Sequence, residues 1–232
     1  MSAEDHVRRL WRGRGTTLPT PRRGPRQQLD LDEILAAGIA IADAEGLAAV
    51  STRAVASRFG KTAMALYPYV GTKENLLALM QDHALAGPAA DGPGTGLAAD
   101  LLAWATAFFE VHLAHPWLTE LSWAQSGQGP NEQDWLERLL TIMDRWATPD
   151  ATTVTMLYAT VRATAETTAA YRRVDTSGWL ERAGATARLI PDLRERYPLS
   201  TGLAPLDPDW REAPRAALRA AVEILAAALP RS

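Results

Sequence analysis

Residues 51–77 read STRAVASRFGKTAMALYPYVGTKENLL: two short helical stretches meet at one glycine and run into the start of a third. Few packings suit such a segment. Ser51 or Thr52 can cap the first stretch, because a side-chain hydroxyl accepts from an amide that lacks a partner inside the helix. Val55, Ala56 and Phe59 then share its inner side, and Ala56 is small where a second helix crosses at a steep angle. Gly60 follows where a chain leaving a helix needs positive φ. The second stretch, from about Thr62 to Tyr67, turns Met64 or Leu66 inward and leaves Lys61, Thr62, Ala63 and Tyr67 facing a groove. This is the layout of a DNA-binding helix-turn-helix, with a generic helical hairpin as the alternative. Pro68 removes an amide and disfavours helix at Tyr67, so the second helix is expected to end by Leu66 or Tyr67.

The flanks extend the pattern. Asp30 with Glu33 forms a capping signature, and Leu31, Ile34, Leu35, Gly38, Ile41 and Ala42 repeat at helical spacing until Gly46. Thr72 opens a further helix carrying Leu76, Leu77, Met80 and Leu85 up to Gly87 and Pro88. Lys73 stands in its first turn, against the helix dipole, a placement that suits a phosphate bound there. Residues 87–96, GPAADGPGTG, form a hinge; no Gly-Lys-Ser/Thr follows them, which argues against a nucleotide loop.

Three blocks in order, LDLDEILAAGIAIADAEG, STRAVASRFG and MALYPYVGTKENLL, resemble the tetracycline-repressor (TetR) family of one-component bacterial regulators over about 50 of the 232 residues. The resemblance implies an all-α chain: an N-terminal three-helix helix-turn-helix DNA-binding domain and a larger C-terminal helical domain for ligand binding and dimerisation. It places DNA contacts on Thr52, Arg53, Lys61, Thr62, Ala63, Met64, Tyr67, Tyr69 and Lys73. Two positions depart from the family pattern. Lys61 replaces a small apolar residue at the turn, and Pro68 replaces a basic or polar residue after the tyrosine. A snorkelling Lys61 stem can cover the apolar gap while its ammonium reaches a phosphate.

Charge supports a division at this point. Residues 1–75 hold 11 Arg and Lys against 8 Asp and Glu, a net of +3, and the remainder holds 13 against 19, a net of −6. A head that meets phosphates and a body that does not would be charged in this way. Residues 1–29 form a basic arm with seven arginines, in which Gly13, Gly15, Pro19, Pro21, Gly24 and Pro25 discourage regular structure. Arg22, Arg23 and Arg26 either lie along a minor groove or merely solubilise the arm. The expected organisation is thus arm 1–29, DNA-binding domain with connecting helix 30–86, hinge 87–96 and body 97–232.

The body reads as helices throughout. Leu97 to His115 stops at Pro116, Trp117 to Ser126 at GQGPN, and Asn131 to Ala147 at Pro149. Asp150 can cap a long helix to Val174; another runs from Gly178 to Glu195, divided at Pro191; a last one, after Asp209 and Glu212, ends near Leu229. Ligand candidates are Trp104, Phe108, Trp123, Met143, Trp146, Tyr158, Arg162 and Glu166, although such aromatics fill cores as readily as they line pockets. Arg162 and Glu166, one turn apart, need each other or a polar ligand if buried. By the resemblance, the Asp150 helix and the last helix form a four-helix dimer interface, through Ala159, Thr160, Ala163, Thr167, Ala170, Ala217, Ala220, Ala221 and Ala227.

Other classes find little support. There is no cysteine, so disulfides and thiolate metal sites are excluded. No apolar run reaches the roughly 20 residues of a membrane span, and no signal-peptide core opens the chain, which makes a cytoplasmic protein the expectation. His112 and His115 lie three apart near Glu110 without a third fixed ligand, and no nucleophile elbow exists. The sequence therefore points to a homodimeric repressor that binds a palindromic double-stranded operator and is released by a small-molecule effector, with no cofactor, metal or catalytic residue. The alternatives are an activator or ligand-independent DNA binder of the same family, or an all-α enzyme or metal-binding protein.

Overall fold

Ser2 Oγ accepts from the Asp5 amide and the Asp5 carboxylate accepts from the Ser2 amide, a capping box that starts α1 (Ala3–Leu10). The basic arm is therefore not irregular at its beginning. Its glycine and proline breakers start only at Gly13, which leaves a full helix ahead of them. The computed structural model of the chain describes residues 2–16, 29–87, 92–121, 128–173, 175, 177–202 and 212–230. Arg22, Arg23, Arg26 and Trp123 lie outside the described residues.

The head follows its caps. Asp30 accepts from the amides of Asp32 and Glu33 to open α2 (Leu31–Glu45), and Gly46 at φ 86° closes it. Ser51 accepts from the Ala54 amide to open α3 (Thr52–Arg58). Beyond Gly60, at φ 62°, comes α4 (Ala63–Val70), then α5 (Lys73–Ala84), capped by Thr72. Ile34, Leu35, Val55, Ala56, Leu66, Val70, Leu76 and Met80 have no residual exposure. Gly38 lets α2 and α5 approach: a Cβ there would stand 2.7 Å from Met80 Sδ.

One expectation fails in α4. The helix does not stop before Pro68 but contains it and runs on to Val70. The ring forfeits only the bond to the Met64 carbonyl. Burial of Leu66 and Val70 on either side holds the turn, and the Gly71 amide closes it on the Tyr67 carbonyl at 3.0 Å.

The body is built on α6 (Leu97–Ala114), α7 (Pro130–Trp146), α8 (Ala151–Arg173) and α12 (Ala213–Ala228), with a 3-10 turn at Pro116–Glu120. Asp150 accepts from the Thr153 amide at 2.7 Å to start α8. The segment after α8 divides at Pro191 into α9 (Ser177–Leu189), α10 (Leu193–Arg196) and α11 (Pro198–Gly202). Helices α6, α8 and α12 pack on one another, and α6 also packs on α7. By length and composition α6 could cross a membrane, yet Leu101, Trp104, Ala105, Phe108, Phe109 and Leu113 all lie in the body core. Among the described residues there is no strand, only an isolated bridge between Arg12 and Thr16, so the all-α reading holds.

Candidate nucleic-acid interface and its connection to the body

Leu66 takes the inward position of α4, which turns Met64 and Tyr67 to solvent at 75% and 52% exposure. An exposed methionine and tyrosine side by side on one short helix are costly to leave in water and useful against a partner. Around them, Arg53 at the start of α3, Lys61 and Thr62 before α4, and Lys73 at the start of α5 are all exposed. Thr52 and Ala63 are half-buried, and Tyr69 is packed partly against the head core. Arg53, Lys61, Thr62, Met64, Tyr67 and Lys73 are thus each open to solvent, on or beside the first turns of α3, α4 and α5 or along α4, and Tyr69 is half-buried.

The head is fastened to the body by polar contacts that the sequence reading did not single out. Asp82, near the end of α5, is only 4% exposed and caps α7 from outside that helix. Its carboxylate accepts from the amides of Asn131 at 2.9 Å and Glu132 at 3.2 Å and from Asn131 Nδ2 at 3.0 Å. Burial pushes the Asp82 carboxyl up from its ordinary range, while the Glu132 and Asn131 amides oppose the shift. Beside it Gln81 Nε2 donates to Glu132 Oε1 at 2.7 Å. A second junction joins α2 to the 3-10 turn: Trp117 Nε1 donates to Asp43 Oδ1 at 2.7 Å, and His115 Nδ1 lies 2.9 Å from the same oxygen.

Inside the body four rings make one cluster. Trp104 stacks on Phe108 at 5.1 Å, and both meet Tyr158 and Trp135 at centroid distances of 5.0 to 5.9 Å. Three of these are ligand candidates by sequence; Trp135 is the addition, and α7 carries it inward one turn before Leu139. Its indole N–H donates to the Leu85 carbonyl at 3.0 Å, which ties the ring cluster to the end of α5. Met143 is buried in the same core. Burial raises the Tyr158 hydroxyl pKa, with the Glu132 charge adding to it.

The remaining candidates are held by other partners. Trp146 donates to the buried Asp100 at 2.8 Å, near the hinge, where Asp100 also accepts from the Gly94 amide. Arg162 donates to the carbonyls of Thr119 and Leu121 at 2.9 and 2.6 Å, and burial lowers its pKa against the pull of Glu166. Glu166 itself is exposed. His112 is not a surface residue: it is buried against Phe108, its Nδ1 is 2.9 Å from the Phe108 carbonyl, and burial pushes its pKa down to about 4.

The chain is similar to two curated regulators and to several solved structures. The HTH-type transcriptional repressor DrrR1 of Streptomyces coeruleorubidus is 40% identical over 126 residues, 53% of this chain and 46% of that protein. An HTH-type transcriptional regulator of Saccharopolyspora erythraea is 31% identical over 106 residues, 44% of each chain. The matches thus span about half the length of these relatives. No family model matches the chain. Among solved structures, the Streptomyces coelicolor TetR family protein ActR in complex with actinorhodin superposes with a TM-score of 0.70 at 23% identity, over 87% of this chain and 97% of that one. The S. coelicolor TetR regulator SCO7222 gives 0.63 at 21% identity, over 85% and 95%. The chain has the TetR-family fold, a helix-turn-helix head carried on an all-α body.

Proposed function

We propose that the chain is a transcriptional repressor that binds double-stranded operator DNA as a homodimer and lets go when a small molecule occupies its body. The observation that carries the reading is the exposed face of α4, Met64 and Tyr67, bracketed by Arg53, Lys61 and Lys73 in a head of net positive charge. Lys61 and Lys73 are suited to phosphates, and Thr62, Ala63 and Met64 to base edges. Replacing Lys73 by Ala together with Tyr67 by Phe is expected to weaken binding about tenfold on every sequence and to lower the salt slope by about 0.9 for the lost lysine contact. Gel shifts on the chain's own upstream DNA over a range of salt measure both; a loss confined to one sequence would mean that these residues read bases.

Dimerisation is supported by the outer faces of α8 and α12. Met156 and Ile224 are 49% and 69% exposed, and Ala159, Ala163, Ala217, Ala220 and Ala227 surround them with small exposed side chains. Two copies joined across this strip would set their α4 helices on one face of DNA, roughly 34–36 Å or a multiple apart, and so select a palindrome. A two-fold contact doubles any defect in it. Ile224→Glu is expected to raise the dimer dissociation constant about 10- to 100-fold, because two carboxylates would be buried unpaired. Sedimentation velocity at micromolar concentration reads this directly, and an unchanged dimer would move the interface elsewhere.

The effector is a small molecule that parts the rings of Trp104, Phe108, Trp135 and Tyr158. ActR, which shares the fold, is known in complex with actinorhodin and with (S)-DNPA, and this supports a small-molecule site here. Displacing Trp135 breaks its bond to the Leu85 carbonyl and frees the end of α5, which carries the head. The ligand's preference for the arrangement with that bond broken sets how far the population shifts.

A further inference from the structure

The N-terminal segment touches both the helix-turn-helix head and α7 of the body. Leu10 is 2% exposed, on a helix that packs against α5. One residue earlier, Arg9 donates to the Pro68 carbonyl of α4 at 2.7 Å. Arg12 pairs with Asp32 in the first turn of α2. The next contacts cross to the body: Trp11 Nε1 donates to the Gln128 carbonyl at 3.2 Å, and Arg14 pairs with Asp134 of α7 and reaches Asn131 Oδ1. The segment is also braced on itself, by Arg12 to the Arg9 carbonyl and by Thr16 Oγ1 to the Arg8 carbonyl.

We propose that residues 2–16 are a strap that ties α4 to the body, giving the body a route to the recognition helix that does not run along α5. Two features separate a strap from an ordinary terminal helix. First, its bonds divide between head and body, so neither half can turn against the other without breaking one set. Second, beyond Leu10 and the partly packed Trp11 ring, it is held by directional polar contacts. Between it and α5 and α7 lies a polar cavity of about 310 Å³ lined by Arg12, Arg14, Asp32, Asp82, His83 and Asn131. Polar contacts over such a space come apart one by one, which suits a tie that opens while the head stays folded. Arg9, Arg12 and Arg14 are thereby committed to the protein itself, in contrast to an arm whose arginines all await DNA.

The proposal rests on the repressor reading only for its effect on DNA; the tie itself is tested without DNA. In the full-length chain, Trp11→Phe with Arg14→Ala cuts the body end and leaves Arg9, Leu10 and Arg12 in place. Hydrogen exchange of the α4 amides is then read at the far end. The expected result is exchange in α4 faster by about fivefold or more, with the α6 and α8 core unchanged, and the same acceleration from Arg9→Ala at the head end. Exchange in α4 within twofold of the parent chain in the Trp11/Arg14 variant overturns the proposal, whatever happens at α7. So does an acceleration spread equally over α6 and α8, which is general destabilisation. A parallel gel shift on the chain's own upstream DNA separates the two readings: a parent chain that binds no DNA at low salt sinks the repressor and leaves the exchange result to decide the strap.

Discussion

Gly129→Ala should destabilise the chain by about 3 kcal/mol and lower its unfolding midpoint by roughly 6–10 °C, a large loss for one added methyl group. Backbone conformation is not the cause, since φ −72° and ψ 164° suit any residue. The cause is Asp82: a Cβ at position 129 would lie 2.2 Å from its Oδ1 and 2.3 Å from its Cγ. The carboxylate that caps α7 from α5 would be evicted, which leaves the Asn131 and Glu132 amides without that acceptor and strands a buried charge. Loss of a cap costs about 1 kcal/mol, and an unsatisfied buried group adds about 1–3. Calorimetry on a double-mutant cycle isolates the mechanism. In an Asp82→Gly background, which also removes the Cβ that would stand 2.8 Å away, the same Gly129→Ala change should cost less than about 0.5 kcal/mol, because nothing is left to evict. Additive costs would show that Gly129 matters for another reason.

Acidification should produce an effect of similar size through His112. Burial pushes its pKa from 6.5 down to about 4, so the folded chain keeps the ring neutral where the unfolded chain protonates it. A depressed folded pKa means that the stabilisation is complete above the unfolded value, near pH 6.5, and is lost as the pH falls through about 4. Between pH 7 and pH 4.5 this amounts to about 2.5 kcal/mol. Asp82 works with the opposite sign: its raised folded pKa favours the fold at low pH and weakens it as the pH rises. Urea titrations of the parent chain and of His112→Asn, whose side-chain amide can still donate to the Phe108 carbonyl, separate the two. The variant should be less sensitive to acid than the parent by that amount, and equal sensitivity would place the response on other groups.

Most helix limits were legible because they depend on neighbours a few residues away. Asp30, Ser51, Thr72 and Asp150 each accept from an amide two or three positions on, and Gly46 and Gly60 take up positive φ where helices end. The same locality explains both misjudgements. The breakers of the N-terminal arm were weighed over its whole length, whereas the Ser2 and Asp5 capping box acts within three residues and ahead of them. At Pro68 the local rule was right about the missing amide but could not weigh the burial of Leu66 and Val70, which depends on α3 and α5 being in place.

The candidate surface divides in the same manner. Alternation on α4 offered Met64 and Leu66 equally for the core, and only packing chose Leu66 and sent Met64 outward. His112, three residues from His115 and near Glu110 in sequence, was buried only when α6 met the rest of the body.

The amino-acid order alone therefore specified the all-α class, the helix-turn-helix and the caps at Asp30, Ser51, Thr72 and Asp150, because these arise from hydrogen bonds and apolar spacing within about one helical turn. The ties between head and body needed the folded chain. Asp82 to α7, Trp135 to Leu85 and Arg14 to Asp134 join residues about 50 to 120 positions apart. No periodicity records such pairs, since their partners meet only after the helices have packed.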